Sequence, residues 1–229
     1  MALRLCAALA AMTLVGTAAS QPVQVWPNAG SSLEAGWTWA LQQSDEAIVV
    51  WVVDAPSNHW RWSGDRRPLE ELFGGGATLE DRSVVFAHTE NGRIRKIHSV
   101  DLRSSYGDSD RTLRFIGEYT QEETYGLLSG IRYTEEARKD RLYVLSTLER
   151  VPEVDPIIRE ALTDRDDDIR KGASYALANY AGPDALPALE RIAAEDGSRE
   201  VRKAAVYAIG NVGTTRAREF LLALIMREQ

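Results

Sequence analysis

Two patterns of apolar residues divide the chain. Beyond about residue 134 they recur every three or four positions, as in Ile169, Ala173, Ala176, Leu177 and Tyr180, and again in Leu186, Leu189, Ile192 and Ala193. That spacing predicts successive amphipathic helices. Earlier, Ala47 to Val53 is an unbroken apolar, β-branched run, which predicts a strand buried on both faces. Ser83 to Thr89 and Arg93 to Val100 flank Asn91-Gly92, a hairpin signal. Leu113 to Ile116 adds a short strand. Ser31 with Glu34 and Thr120 with Glu123 read as capping boxes. The first opens a helix with Leu33, Trp37, Ala40 and Leu41 on one face, and the second a helix from Thr120 to Leu128. Pro68 to Gly74 has the proline-in, glycine-out form of one or two helical turns.

The helical half repeats. Ile169 to Asn179 and Val201 to Asn211 share six of 11 positions at an offset of 32. The same step back reaches Arg138-Lys139, Tyr143 and Leu145, so units begin near 137, 169 and 201. Punctuation agrees with this. Asp155 precedes Pro156 as a cap, Asp166 and Asp167 precede the next start, Gly182-Pro183-Asp184 separates two helices, and Ser198 stands before the third unit. A single helix pair cannot bury its apolar face alone, so the units must stack.

The pattern Asp-x-x-x-x-Val/Ile-Arg-x-x-Ala-x-x-Ala-Leu/Ile, from Asp164 to Leu177 and from Asp196 to Ile209, resembles HEAT repeats of the phycobilisome-lyase type. The resemblance implies an α-solenoid used to bind proteins. It makes Asp164, Arg170, Asp196 and Arg202 structural residues that bond between neighbouring helices and loops. The first unit departs from it, with Arg132 at the aspartate position. As a whole the chain also resembles secreted bacterial HEAT-repeat proteins, a likeness that implies no activity. The expected fold class is α+β: a small mixed αβ domain over 21–133 containing the hairpin, then an α-solenoid of about three HEAT-like helix pairs over 134–229.

Residues 1–20 read as an export signal. Arg4 gives a positive start, Leu5 to Val15 an apolar run of 11, and Gly16 to Ser20 a small-residue cleavage region. The run is too short to span a bilayer, and no later stretch is long enough. The expectation is a periplasmic or secreted protein that does not span the membrane. The chain's one cysteine, Cys6, lies within this segment, so cleavage would leave no thiol for a disulfide, a zinc site or a nucleophile. The net charge of −7 becomes −8 once Arg4 is removed. That balance, with no basic stripe, argues against nucleic acid as a partner.

Candidate chemistry is sparse. Three histidines, His59, His88 and His98, raise the question of a metal site, but if Asn91-Gly92 is a two-residue turn, His88 and His98 fall on opposite faces of the hairpin and cannot share an ion. Asp164, Asp166 and Asp168 have calcium-loop spacing, but Ile169 and Tyr175 replace the required glycine and glutamate. They read instead as helix caps. Gly74-Gly75-Gly76 lacks the Lys-Ser/Thr of a phosphate loop, no Gly-x-Ser-x-Gly occurs, and Glu70-Glu71, Glu122-Glu123 and Glu135-Glu136 read as solvated helix faces. Neither a catalytic residue nor a cofactor is expected.

All six tryptophans precede residue 63. In Trp60-Arg61-Trp62 the indoles alternate, so both can project from one face as a platform for sugars or prolines, against the simpler role of filling a small core. Two functions are therefore carried forward. One is a non-enzymatic interaction scaffold whose second helices present Arg159, Glu190 and Arg191 to a protein or peptide. The other is a glycan-binding or glycan-modifying protein using Trp60 and Trp62. Leu221, Leu222, Leu224, Ile225 and Met226 make the last helix apolar, which points to self-association or docking there. Chromophore attachment, by analogy with the lyases, is disfavoured by export and by the lack of a matching catalytic constellation.

Overall fold

The computed structural model describes residues 23–28, 31–55, 82–101, 112–149 and 151–227. Residues 1–20, His59, Trp60, Trp62, the Pro68 to Gly74 turns and the Gly74-Gly75-Gly76 segment lie outside the described residues.

Among the described residues five strands form one mixed sheet: β1 Val23–Val25, β2 Glu46–Val53, β3 Ser83–Glu90, β4 Arg93–Asp101 and β5 Leu113–Tyr119, in the order β1-β5-β2-β3-β4. The apolar run takes the central place, where both sides of its ladder are paired and both faces are covered. Ala47, Val49, Trp51 and Val53 face the helices, while Ile48, Val50 and Val52 join Val84, Phe86 and Leu113 on the other face. The helix side is held by large contacts. Trp37 meets Trp51 edge to face at 6.4 Å, and the Trp51 indole N–H donates to Thr124 Oγ1 at 3.3 Å.

Helix α1 (Leu33–Gln42) buries Leu33, Trp37 and Ala40 as its spacing requires, with Leu41 half-buried. Its cap differs from the expected one. Ser32, one residue later than Ser31, accepts from the Ala35 N–H, while Ser31 Oγ donates to the Asn28 carbonyl in the preceding turn. Helix α2 (Gln121–Gly130) carries the reciprocal capping box: Glu123 N–H donates to Thr120 Oγ1 and Thr120 N–H to Glu123 Oε2.

The remaining helices come in three pairs: α3 (Ala137–Leu145) with α4 (Val154–Ala161), α5 (Asp167–Ala181) with α6 (Leu186–Glu195), and α7 (Arg199–Val212) with α8 (Thr215–Arg227). First helices pack against one another, α3 on α5 and α5 on α7, while α4 lies on α5 and both α6 and α8 lie on α7. The expected cap at Asp155 is not used. Helix α4 starts earlier, at Val154, and Asp155 in its first turn instead accepts from Arg159 Nε at 2.7 Å.

The two halves are joined through a shared core. Helix α3 packs on β4, Ile94 N–H donates to the Arg132 carbonyl at 3.0 Å, and Thr134 N–H donates to the Ile94 carbonyl at 2.9 Å. One buried apolar cluster extends from Trp26 through Trp51, Leu145 and Leu177 to Ala217.

Candidate interaction surface

The polar residues that recur in the repeat form a ladder that is spent on the array itself. Arg170 Nε and Nη2 donate to both carboxylate oxygens of Asp196 at 3.0 and 3.1 Å, and its Nη1 donates to the Asp164 carbonyl at 2.8 Å. Arg138, one repeat earlier, donates to the Asp164 carboxylate, and Arg202, one repeat later, donates to the Asp196 carbonyl at 2.6 Å. Asp164 Oδ1 also accepts from Asp166 N–H and Asp196 Oδ1 from Ser198 N–H. Each aspartate thus ties the preceding unit's arginine to the turn before its own helix. The hydrogen bond to Asp196 holds the Arg170 guanidinium above its ordinary pKa. The Asp166 amide, with Arg138 beside it, holds Asp164 below the usual carboxylate range. At Asp196 burial pushes the carboxyl up, but Arg170 and the Ser198 amide together overcome it and leave the group lowered.

In the first unit the aspartate position is Arg132, and the ladder has nothing to bind there. The element packed on α3 at this end is strand β4 rather than another helix pair, and the backbone bridge to Ile94 takes over the joint.

The three charged residues expected on the second helices are placed differently from one another. Arg159 is paired with Asp155 within α4. Glu190 accepts from Arg216 Nε and Nη2 at 3.3 and 3.1 Å, which links α6 to α8. Arg191 is exposed and makes no ion pair among the described residues. Of the aromatics, Trp26, Trp37 and Trp51 are core residues and Trp39 packs against them.

Exposed apolar side chains gather at the far end of the array. Leu222, Ile225 and Met226 lie on one face of α8, 62, 57 and 72% exposed, while Ala217, Phe220, Leu221 and Leu224 form its inner face. Thirty-two residues before Leu222 stands Glu190, the residue that α6 turns towards the following unit. Leu222 is thus the repeat counterpart of a residue that bridges successive units. Tyr207 on α7 differs from its own counterparts: Tyr143 and Tyr175, at the same repeat position, are half-buried, whereas Tyr207 is 67% exposed.

The expected placement of the histidines is overturned. A one-residue shift between His88 and Thr89 pairs His88 with Lys96 and Phe86 with His98. His88 and His98 therefore share a face, with ring centroids 5.6 Å apart, and His98 stacks on Phe86 at 5.2 Å. Ile97 joins Ile94 on the helix side. Burial, reinforced by His88 and Lys96, lowers the His98 pKa to about 4. No cluster of three or more potential metal ligands occurs among the described residues. Asp166 caps α5 by accepting from Asp168 N–H at 2.8 Å. Among the acidic pairs, Glu123 closes a capping box and Glu135 is paired with Arg138.

A family model described as HEAT repeats matches residues 131–208 and 154–229. No curated protein and no solved structure matches the chain. No described helix is long and apolar enough to cross a membrane. HEAT repeats generally mediate protein–protein interaction, and the matched residues are those of the paired helices in the C-terminal half.

Proposed function

We propose that this protein is an exported, non-catalytic scaffold that binds a protein or peptide through an α-solenoid surface of its HEAT repeats. The observation that supports this best is the division of labour within the array. Its polar ladder is satisfied internally, while Tyr207 on α7 and Leu222, Ile225 and Met226 on one face of α8 are exposed. Exposed apolar groups clustered in this way mark interaction surfaces. Of the three charged residues expected to bind, Arg191 alone makes no ion pair among the described residues; Arg159 and Glu190 would have to exchange their present partners to engage a ligand. Export, to the periplasm or the medium, rests on the Leu5 to Val15 apolar run and the small residues after it. Amino-terminal sequencing of the protein recovered outside the cytoplasm should begin near Gln21; a start at Met1 contradicts export.

The binding surface is tested by light scattering and by affinity capture with the full chain and a Leu222→Glu/Ile225→Glu variant. Either a concentration-dependent oligomer or one stoichiometric captured protein is expected for the natural chain and lost in the variant. Identical behaviour of the two proteins contradicts the proposed surface.

A further inference from the structure

The bridge between Ile94 and Tyr133 has a second consequence. One step along it, Arg93 stands beside Arg132. Adjacent extended segments run about 4.8 Å apart, and like charges directly opposed across such a ladder repel. Neither guanidinium makes an ion pair among the described residues. Glu90, opposite Arg93 in the hairpin, pairs with Arg95 at 3.1 Å, and Glu135 is taken by Arg138. Arg132 follows the C-terminal end of α2, whose dipole offsets part of its charge; Arg93, on the hairpin, has no such neighbour.

A cavity of about 310 Å³ opens beside the two arginines, bounded by Trp37, the Asn91-Gly92 turn and Gly130-Ile131. Among the described residues no acidic one lines it. At Gly92 a side chain would meet nothing within 4 Å, so the turn leaves that side open. The volume is at the small end for a ligand site, and guanidinium groups recognise planar or tetrahedral oxyanions through paired N–H donors.

We propose that this cavity is an anion site, in which Arg93 and Arg132 together hold the carboxylate or phosphate of a small ligand. The site is independent of the exposed end of the array, and its test does not depend on finding a protein partner. Inorganic phosphate and succinate serve as separate probes, each compared with sodium chloride at equal ionic strength. Calorimetric titration of the full chain should show saturable binding of at least one anion at concentrations up to about 10 mM. The same anion should raise the melting temperature by about 2 °C beyond chloride, the size expected for relief of one like-charge pair. R93Q and R132Q should each lose the anion-specific rise. R93Q should melt no lower than the natural chain in anion-free buffer, because it removes repulsion rather than a contact. Absence of saturable binding of both anions, or an undiminished rise in both variants, overturns the proposal.

Discussion

Arg170 shows how much one repeat residue can carry. It contacts a carboxylate of the following unit, a carbonyl of its own turn and, at 2.7 Å, Asp167. Its side chain and that of Asp196 are only 15 and 11% exposed. Arg170→Ala leaves the Asp196 carboxylate largely buried without its cation, so urea denaturation should show a loss of about 2 kcal/mol or more. Arg159→Ala, which breaks only an exposed pair within one helix, should cost less than about 1 kcal/mol. Comparable losses would remove the distinction drawn between ladder and surface. The lowered pKa of His98 predicts a pH-dependent contribution to stability. Its folded pKa lies below the ordinary 6.5, so the neutral imidazole is favoured by folding. Its stabilising effect is full above about 6.5 and is lost as pH falls towards about 4, a change on the order of 2–3 kcal/mol. His98→Phe, which keeps the stack on Phe86, should flatten the acid limb of a stability-versus-pH curve over that window. An unchanged limb contradicts the role of His98. At this scale the sequence was a partial guide. The ladder residues were readable because they recur at a fixed interval, but the shared face of His88 and His98 depends on a single-residue shift that leaves no mark in an alternating pattern.

At the scale of elements, residues with constrained geometry are the informative ones. Asn91 and Gly92 have φ of 50 and 71°, as the two-residue turn requires, and this is why the hairpin could be read from two letters. Gly36 has a different reason. A Cβ there would lie 2.9 Å from the Trp26 ring and 3.0 Å from Ile116, so α1 approaches the sheet only because the position is glycine. Gly36→Ala should lower stability by about 1–3 kcal/mol through overpacking, although alanine favours a helix in isolation; thermal denaturation that shows a gain would contradict this packing. Strand β2 was legible through its continuous apolar run. The end of β5 was not, because Gly117, at φ 131°, and Glu118 break the pattern. β1 is three residues long and is defined by its pairing with β5 rather than by its own composition. The shift of a cap from Ser31 to Ser32 illustrates the same limit: two adjacent serines offer equivalent chemistry, and the path of the preceding turn chooses between them.

Across the whole molecule the sheet and the array depend on one core. Composition separates them clearly at about residue 134, yet Ile94, Ile97, Ala137 and Leu145 belong to the same buried cluster, and α3 rests on β4 as the preceding unit would in a longer array. A chain of residues 134–229 alone would expose the α3 face that β4 now covers. It should therefore be less stable than the same repeats in the full chain, with a lower melting temperature and a greater tendency to aggregate. Equal melting temperatures would show that the halves are energetically independent. Interlocking of this kind was not visible in the sequence, because helical periodicity marks which faces are apolar but not which strand covers them. The opposite end of the array was more legible: Leu222, Ile225 and Met226 stand out as a second apolar stripe on a helix already supplied with an inner face by Ala217, Phe220, Leu221 and Leu224. Site-specific photocrosslinking in the living cell tests the interaction claim most directly, with a reactive amino acid placed at Tyr207, at Leu222 or, as a control on the sheet, at Glu118. The account predicts a discrete adduct from Tyr207 and Leu222, the same from both positions, and none from Glu118. No adduct from the array positions, or an equal adduct from Glu118, would contradict it.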